Sequence, residues 1–291
     1  MKKMIENLNA TMEYYKGCPK GTFREVLDEM KNTKVNGWNT SSIPLAESWQ
    51  PAYLKRWEKI LAPHLKGVNL ERAFKYLEFP TEPVLRGKVY GQPSMTDLMI
   101  MDALDWKVAV EGKFTEYVWG KAQTCADWLK ERMKTRPRLL PYRFLLRAWV
   151  EMIASAKCTD ISMPELYKTC MGIDYQFLHR TASACWNTNG SEEQKPVLMY
   201  QLFYKAGDAA HIAKMEAFKD DLRRAARLLR LKNMTFLIVS VPITNADKVE
   251  ARYGHLVKQE NAQLFEDMKL ETIYEFDFDH VEVEEVIKGG K

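Results

Sequence analysis

Apolar residues recur along this chain at two different spacings, and the change of spacing divides it. Residues 22–31 fit a short helix before the turn-forming Asn36-Gly37 pair. Ser41 or Ser42 is placed to cap a helix carrying Trp49, Tyr53, Leu54, Trp57, Ile60 and Leu61 at steps of three and four, which Pro63 ends. Residues 69–77 fit another short helix, stopped by Pro80 and Pro83. The spacing then shortens. Residues 84–91, 96–102 and 107–116 read as three strands separated by GQPSM and ALDW turns. The middle one, around DLMIM, is apolar on both faces, as a central strand covered by helices would be. Helical spacing returns over 119–133, 142–157, 164–186 and 197–231. Residues 234–242, MTFLIVSVP, form a buried strand by length and β-branched content. A helix over 247–268 and an acidic, alternating edge strand over 272–283 complete the order.

That order predicts an α/β (α+β) fold around one sheet. It further predicts a helical extension over residues 1–63 and a main domain over 64–291, with a large helical insertion at about 119–231. One internal echo, YQFLHRTASAC at 175–185 and YQLFYKAGDAA at 200–210, puts a Tyr-Gln, a basic residue and small residues on what reads as a helix both times. Such small-residue runs mark close helix packing more often than a repeat.

Composition narrows the class without choosing a function. The 291 residues are 46% hydrophobic and 28% charged, close to the average for folded chains, so disorder and collagen-like readings fall away. The longest apolar stretch, residues 234–243, is about half the roughly 20 residues that span a bilayer. The amino terminus has no apolar core of a secretory signal, so the expectation is a cytoplasmic protein without membrane contact. Five scattered cysteines and five scattered histidines form no CxxC or HExxH and argue against zinc.

The net charge of +4 is small, but it is unevenly spread. Lys130, Arg132, Lys134, Arg136 and Arg138 open a basic run that continues through Arg143 and Arg147, and Arg223 and Arg227 belong to a second. Glu275, Asp277, Asp279, Glu282, Glu284 and Glu285 crowd the other end. The basic runs suit phosphate contacts, and equally suit solvated helix faces.

The chemistry-bearing residues are Asp97, Glu111 and Lys113. If the ALDW turn pairs Met101 with Lys107, the antiparallel register sets Asp97 opposite Glu111, and alternation puts Glu111 and Lys113 on its face. Two acids about 5 Å apart repel unless a cation joins them, and carboxylates with open water positions suit Mg2+ or Mn2+. Such an ion lowers the pKa of bound water and neutralises a phosphodiester in its transition state, with Lys113 orienting the water or stabilising the developing charge. The bland alternative is an exposed Glu111–Lys113 cross-strand pair of under about 1 kcal/mol.

GQPSMTDLMI, followed by the VEGKFTE run, resembles the bipartite motif of the PD-(D/E)xK nuclease superfamily, which includes restriction endonucleases and repair nucleases. The likeness covers residues 77–117; Pro93 stands four residues before Asp97 where the family pattern has it adjacent. It implies a restriction-endonuclease-like αβββαβ core, metal binding by Asp97 and Glu111, and a catalytic Lys113. It also implies an acid from the preceding helix, for which Glu78 is the choice and Glu71 the runner-up, and a Gln on the helix after the hairpin, for which Gln201 is the candidate. The implied partner is nucleic acid, DNA foremost, and cutting both strands would suit a homodimer. Two other readings stand beside this one: a non-catalytic nucleic-acid or protein binding module on the same fold, and a helical small-molecule enzyme or scaffold built on residues 119–231.

Overall fold

The strands assemble into one eight-stranded mixed sheet in the computed structural model, which describes residues 13–16, 18–20, 22–31, 37–67, 69–101, 106–117, 124–135, 140–188, 195–256 and 261–288. In chain order these strands are β1 (Glu13–Tyr15), β2 (Cys18–Lys20), β3 (Phe74–Thr81), β6 (Ser94–Met101), β7 (Trp106–Lys113), β8 (Lys195–Lys205), β9 (Thr235–Ile243) and β10 (Glu282–Ile287). Across the sheet they run β10-β9-β8-β7-β6-β3-β1-β2. β3, β6 and β7 are antiparallel neighbours, whereas β7, β8 and β9 run parallel.

Parallel neighbours need long crossovers, and helices supply them. Between β7 and β8 lie α4 (Cys125–Thr135), α5 (Leu140–Ser155), α6 (Met163–Cys170) and α7 (Tyr175–Ala184); α8 (Ala209–Leu228) joins β8 to β9. Before β3 come α1 (Phe23–Lys31), α2 (Ser42–Ser48) and α3 (Leu54–Leu61), and after β9 come α9 (Ala246–Tyr253) and α10 (Ala262–Met268).

Each face of the sheet has its own core. Leu98, Ile100, Val108, Val110, Val197, Met199, Leu237 and Val239 pack with Trp57, Leu45 and Phe265 on one side. Met99, Ala109, Leu198, Tyr200, Phe236 and Ile238 pack with Trp149, Phe177 and Phe218 on the other. Burial on both faces explains why the end of β6 and the whole of β9 read as apolar runs. No helix among the described residues is long and apolar enough to cross a membrane.

Three predicted elements are corrected. Residues 74–81 are strand β3, although Leu70, Phe74 and Leu77 mimic a helical stripe; pairing with β6 and strict alternation of burial from Phe74 to Thr81 override that spacing. Residues 195–205 are strand β8, not the start of a helix over 197–231. It is the central member of the parallel set, so it is apolar on both faces, and periodicity cannot separate such a run from a buried helix. The helix begins only at Ala209, where the Asp208 side chain caps it by accepting from His211 N–H at 2.9 Å. The expected first core strand over 84–91 is instead a separate hairpin, β4 (Val84–Leu85) and β5 (Lys88–Val89), turned by Arg86 and Gly87, both at positive φ.

Smaller differences follow the same logic. The helix expected over 247–268 is two helices, and the closing strand pairs over 282–287 rather than 272–283. β1 and β2 carry part of the amino-terminal segment into the main sheet beside β3.

Candidate active site

The β6–β7 ladder pairs Leu98 with Val110, Met99 with Ala109, Ile100 with Val108 and Met101 with Lys107. One step further the same register sets Asp97 opposite Glu111, and Gly112 N–H donates to Asp97 Oδ2 at 3.0 Å. Alternation then turns Asp97, Glu111 and Lys113 toward the face that α7 covers. The residue between the two β7 members is glycine because α2 presses on the opposite face there. A Cβ on Gly112 would stand 3.3 Å from both Leu45 Cδ2 and Ser41 Cβ.

Helix α7 brings two residues that sequence reasoning missed. Asp174 caps it, accepting from Gln176 N–H at 2.7 Å and Phe177 N–H at 3.2 Å, and this fixes which side faces the sheet. Gln176 and Arg180, one turn apart, both reach the acids. Gln176 Nε2 donates to Glu111 Oε1 at 2.5 Å, and Lys113 Nζ donates to Gln176 Oε1 at 3.1 Å and to Glu111 Oε1 at 2.8 Å. Arg180 donates from Nε to Glu111 Oε2, from Nη2 to Asp97 Oδ1 at 3.2 Å and from Nη1 to Ser94 Oγ at 3.2 Å. Ser94 Oγ, already accepting from Arg180, has its hydroxyl hydrogen free for His179 Nδ1 at 2.8 Å. A charged residue inside the buried, small-residue stretch of YQFLHRTASAC was the available signal, because a buried arginine requires an acid nearby.

Electrostatics divides the two acids. Burial pushes Glu111 up, but the charges of Arg180 and Lys113 and the Lys113 hydrogen bond outweigh it and hold the carboxyl at about 2. Asp97 is raised well above the usual carboxylate range, first by desolvation and then by the Glu111 charge. Burial works against the Lys113 ammonium, but Glu111 and Asp97 raise it, so it stays protonated. His179 is lowered well below its ordinary value by burial and the neighbouring Arg180, and is neutral.

Glu78 sits at the margin of this cluster. It lies on strand β3 rather than ending a helix, with φ at 51°, a conformation that non-glycine residues rarely adopt. The β3–β6 ladder pairs Leu77 with Leu98 and Phe79 with Thr96, so Glu78 stands across from Asp97. Its pKa is raised by burial, lowered by Arg180 and raised again by Glu111, so it belongs to the same field. Among the described residues, no three acidic, His or Cys side chains are gathered closely enough to cage a metal.

Gln201 does not reach the site. It is on strand β8, paired with Gly112 and turned to the opposite face, where its Oε1 accepts from Trp49 Nε1 at 2.8 Å and its Nε2 donates to Ser48 Oγ at 3.1 Å. The end of β7 is secured by a third residue, His211. Its Nδ1 accepts from Lys205 N–H at 2.9 Å, so its Nε2 carries the hydrogen donated to Phe114 O at 2.7 Å.

The basic runs are partly self-paired. On α4, Lys130 pairs with Asp127 at 3.3 Å, Lys134 with Glu131 at 3.2 Å, and Arg132 stacks over the Trp128 ring. Arg223 is gripped at both Nε and Nη2 by Glu284, at 2.7 and 2.6 Å, while Arg227 is exposed. Arg136 and Arg138 lie outside the described residues.

The fold and site together define a mixed α/β protein with a buried acid–base cluster at the centre of its sheet. The model of the DUF6946 family, a domain of unknown function, matches residues 22–255, and the chain belongs to that family. The match takes in β3 through β9 and every member of the cluster. No curated protein and no solved structure matches the chain.

Proposed function

We propose that this protein is a divalent-metal-dependent nuclease of the PD-(D/E)xK type, hydrolysing phosphodiester bonds with DNA as its substrate class. One observation carries the reading: the carboxylates of Asp97 and Glu111, from adjacent antiparallel strands, face a single cation, with Lys113 two residues on and on the same side. The order α3, β3, β6, β7, α7, β8, with β8 parallel to β7, supports the αβββαβ core that the motif implies.

Asp97 and Glu111 offer the oxygen donors such an ion takes, although Arg180 now occupies them. Arg180 already bridges both acids, so their oxygens define a position for positive charge, and hard carboxylate oxygens suit Mg2+ or Mn2+. Asp97 and Glu111 would hold it, with Glu78 across the ladder as a further acid. When bound, such an ion supplies charge neutralisation and a more acidic water.

The chain's own groups then have distinct tasks. Glu111, anionic throughout the neutral range, accepts from Lys113 and Gln176 and so fixes both. Lys113, whose ammonium form Glu111 and Asp97 favour, offers its charge to the phosphate oxygens as negative charge grows on them. The surface pairs of Lys130 and Lys134 are exposed i,i+3 contacts that contribute little, so phosphates can replace them. Arg223, held by Glu284, is less available than Arg227.

A second reading rests on Arg180. A guanidinium in the cation position would suit a protein that keeps the fold and binds nucleic acid without cutting it. Incubating supercoiled plasmid with Mg2+ or Mn2+ and the wild type, Glu111→Gln or Lys113→Met separates the two. Loss of cleavage by about a hundredfold or more in both variants is expected. Cleavage unchanged in both overturns the nuclease; salt-sensitive binding with no cleavage by any of the three favours the second reading.

A further inference from the structure

The cluster already holds its own cations. Arg180 lies against both Asp97 and Glu111 and Lys113 against Glu111, and all of these groups are buried or partly buried. Glu111 accepts from Lys113, Gln176 and Arg180. Asp97 is engaged at both oxygens, by Gly112 N–H and by Arg180. A divalent ion placed beside these acids would meet two buried cations and few open lone pairs. Lys113 touches only Glu111 and Gln176 among these groups, whereas Arg180 is the group that spans both acids. A metal bridging them must take its place.

We propose that Arg180 is a resident counter-ion that competes with the divalent metal for Asp97 and Glu111, so that metal uptake requires the guanidinium to leave both carboxylates. This rests on the metal-site reading above. Arg180 is then a positioning residue that holds the empty site closed and sets its metal affinity. Ser94 Oγ, which it also contacts, gives it a polar neighbour that the metal does not need. The exchange makes the apparent affinity the intrinsic metal affinity reduced by the strength of the Arg180 grip.

Titrating the full chain with Mn2+ alone, without nucleic acid, tests this, with free Mn2+ read by electron paramagnetic resonance. Arg180→Met is expected to bind Mn2+ at least about tenfold more tightly than wild type, and Arg180→Lys to stay near wild type because it keeps the charge. Adding Asp97→Asn to Arg180→Met is expected to abolish the gain. Equal affinity in wild type and Arg180→Met, or weaker binding by the variant, overturns the competition and leaves the metal site standing. No binding by either overturns the metal site and the competition together. Should Arg180→Met fail to fold, the wild type still decides. Its Arg180 Nε–H nuclear magnetic resonance signal, identified by its loss in Arg180→Lys, is expected to move as Mg2+ is added; a signal unmoved while Mg2+ binds overturns the proposal.

Discussion

Each face of the sheet holds a buried glutamate with a glutamine near it, and the two pairs live under opposite electrostatics. On the α7 side, Glu111 meets Arg180, Lys113 and Gln176, and its carboxyl is held at about 2. On the other side, among the described residues, Glu47 accepts from backbone N–H groups alone, Ile273 at 2.5 Å and Tyr274 at 2.8 Å. Burial there raises its carboxyl to about 7, against the lowering effect of those bonds. Near Glu47, Gln201 ties Trp49 to Ser48. Both glutamates are almost fully buried. Burial alone therefore does not mark a site; burial with cations that keep the acid charged does. The Glu111 side is built to hold charge, and the Glu47 side to tie chain segments together.

The largest effect expected from breaking this contrast is at Arg180. Arg180→Met strips the main counter-charge from two acids, and urea unfolding at pH 7 should show a loss of about 3–5 kcal/mol, as for one partner of a buried pair. A loss under about 1 kcal/mol would mean the acids are not held by this residue.

Next comes pH. Glu47 has a folded value above its unfolded 4.5, so the folded state holds the proton longer, and this group's stability is lost as pH rises from about 4.5 to 7. The interval corresponds to about 3 kcal/mol. Glu111 has the opposite sign: its contribution is present above 4.5 and is lost as pH falls toward 2. Comparing Glu47→Gln with wild type by denaturant unfolding should show a variant that is less stable at pH 5, where one backbone N–H loses its acceptor, and that gains on wild type by pH 8. A stability difference independent of pH would refute the assignment.

The smallest effect sharpens the contrast most. Gln201→Leu leaves the buried Trp49 N–H without an acceptor and should cost about 1–3 kcal/mol with the cleavage rate unchanged. Gln176→Leu should cost about 1 kcal/mol or less yet slow cleavage, because Glu111 and Lys113 lose the group that fixes them both. Melting curves and single-turnover kinetics on the two variants decide it; an exchange of these phenotypes would put the chemistry on the wrong face.

The candidate triad was legible in the sequence where the physics is local. The short sequence separation of the two strands and period-two alternation determine the β6–β7 register, so Asp97, Glu111 and Lys113 were placed together from residue numbers alone. Gln176 and Arg180 were not, because their approach depends on how α7 crosses the sheet, about 65 residues after Glu111. The two Tyr-Gln segments show the limit. Tyr175-Gln176 lies on a helix and Tyr200-Gln201 on a strand, and Phe177 of the first stacks on Tyr200 of the second. In the strand, Tyr200 turns to the site face and Gln201 away from it. Nothing within either segment distinguishes the two. The decision is made by β7 and β9, which claim residues 195–205 as the strand between them. Likewise β3 is a strand because β6 lies beside it, which moves Glu78 from a helix end to the ladder position across from Asp97.

The central claim is that Asp97 and Glu111 hold a catalytic divalent ion. The most direct measurement is the single-turnover cleavage rate of a DNA oligonucleotide as Mg2+ is raised from zero, in wild type and in Glu111→Gln. The account predicts a saturable rise in wild type, abolition by EDTA, and a rate at least about a hundredfold lower at every Mg2+ concentration in the variant. Cleavage by Glu111→Gln at the wild-type rate, or wild-type cleavage that persists in EDTA, would contradict it.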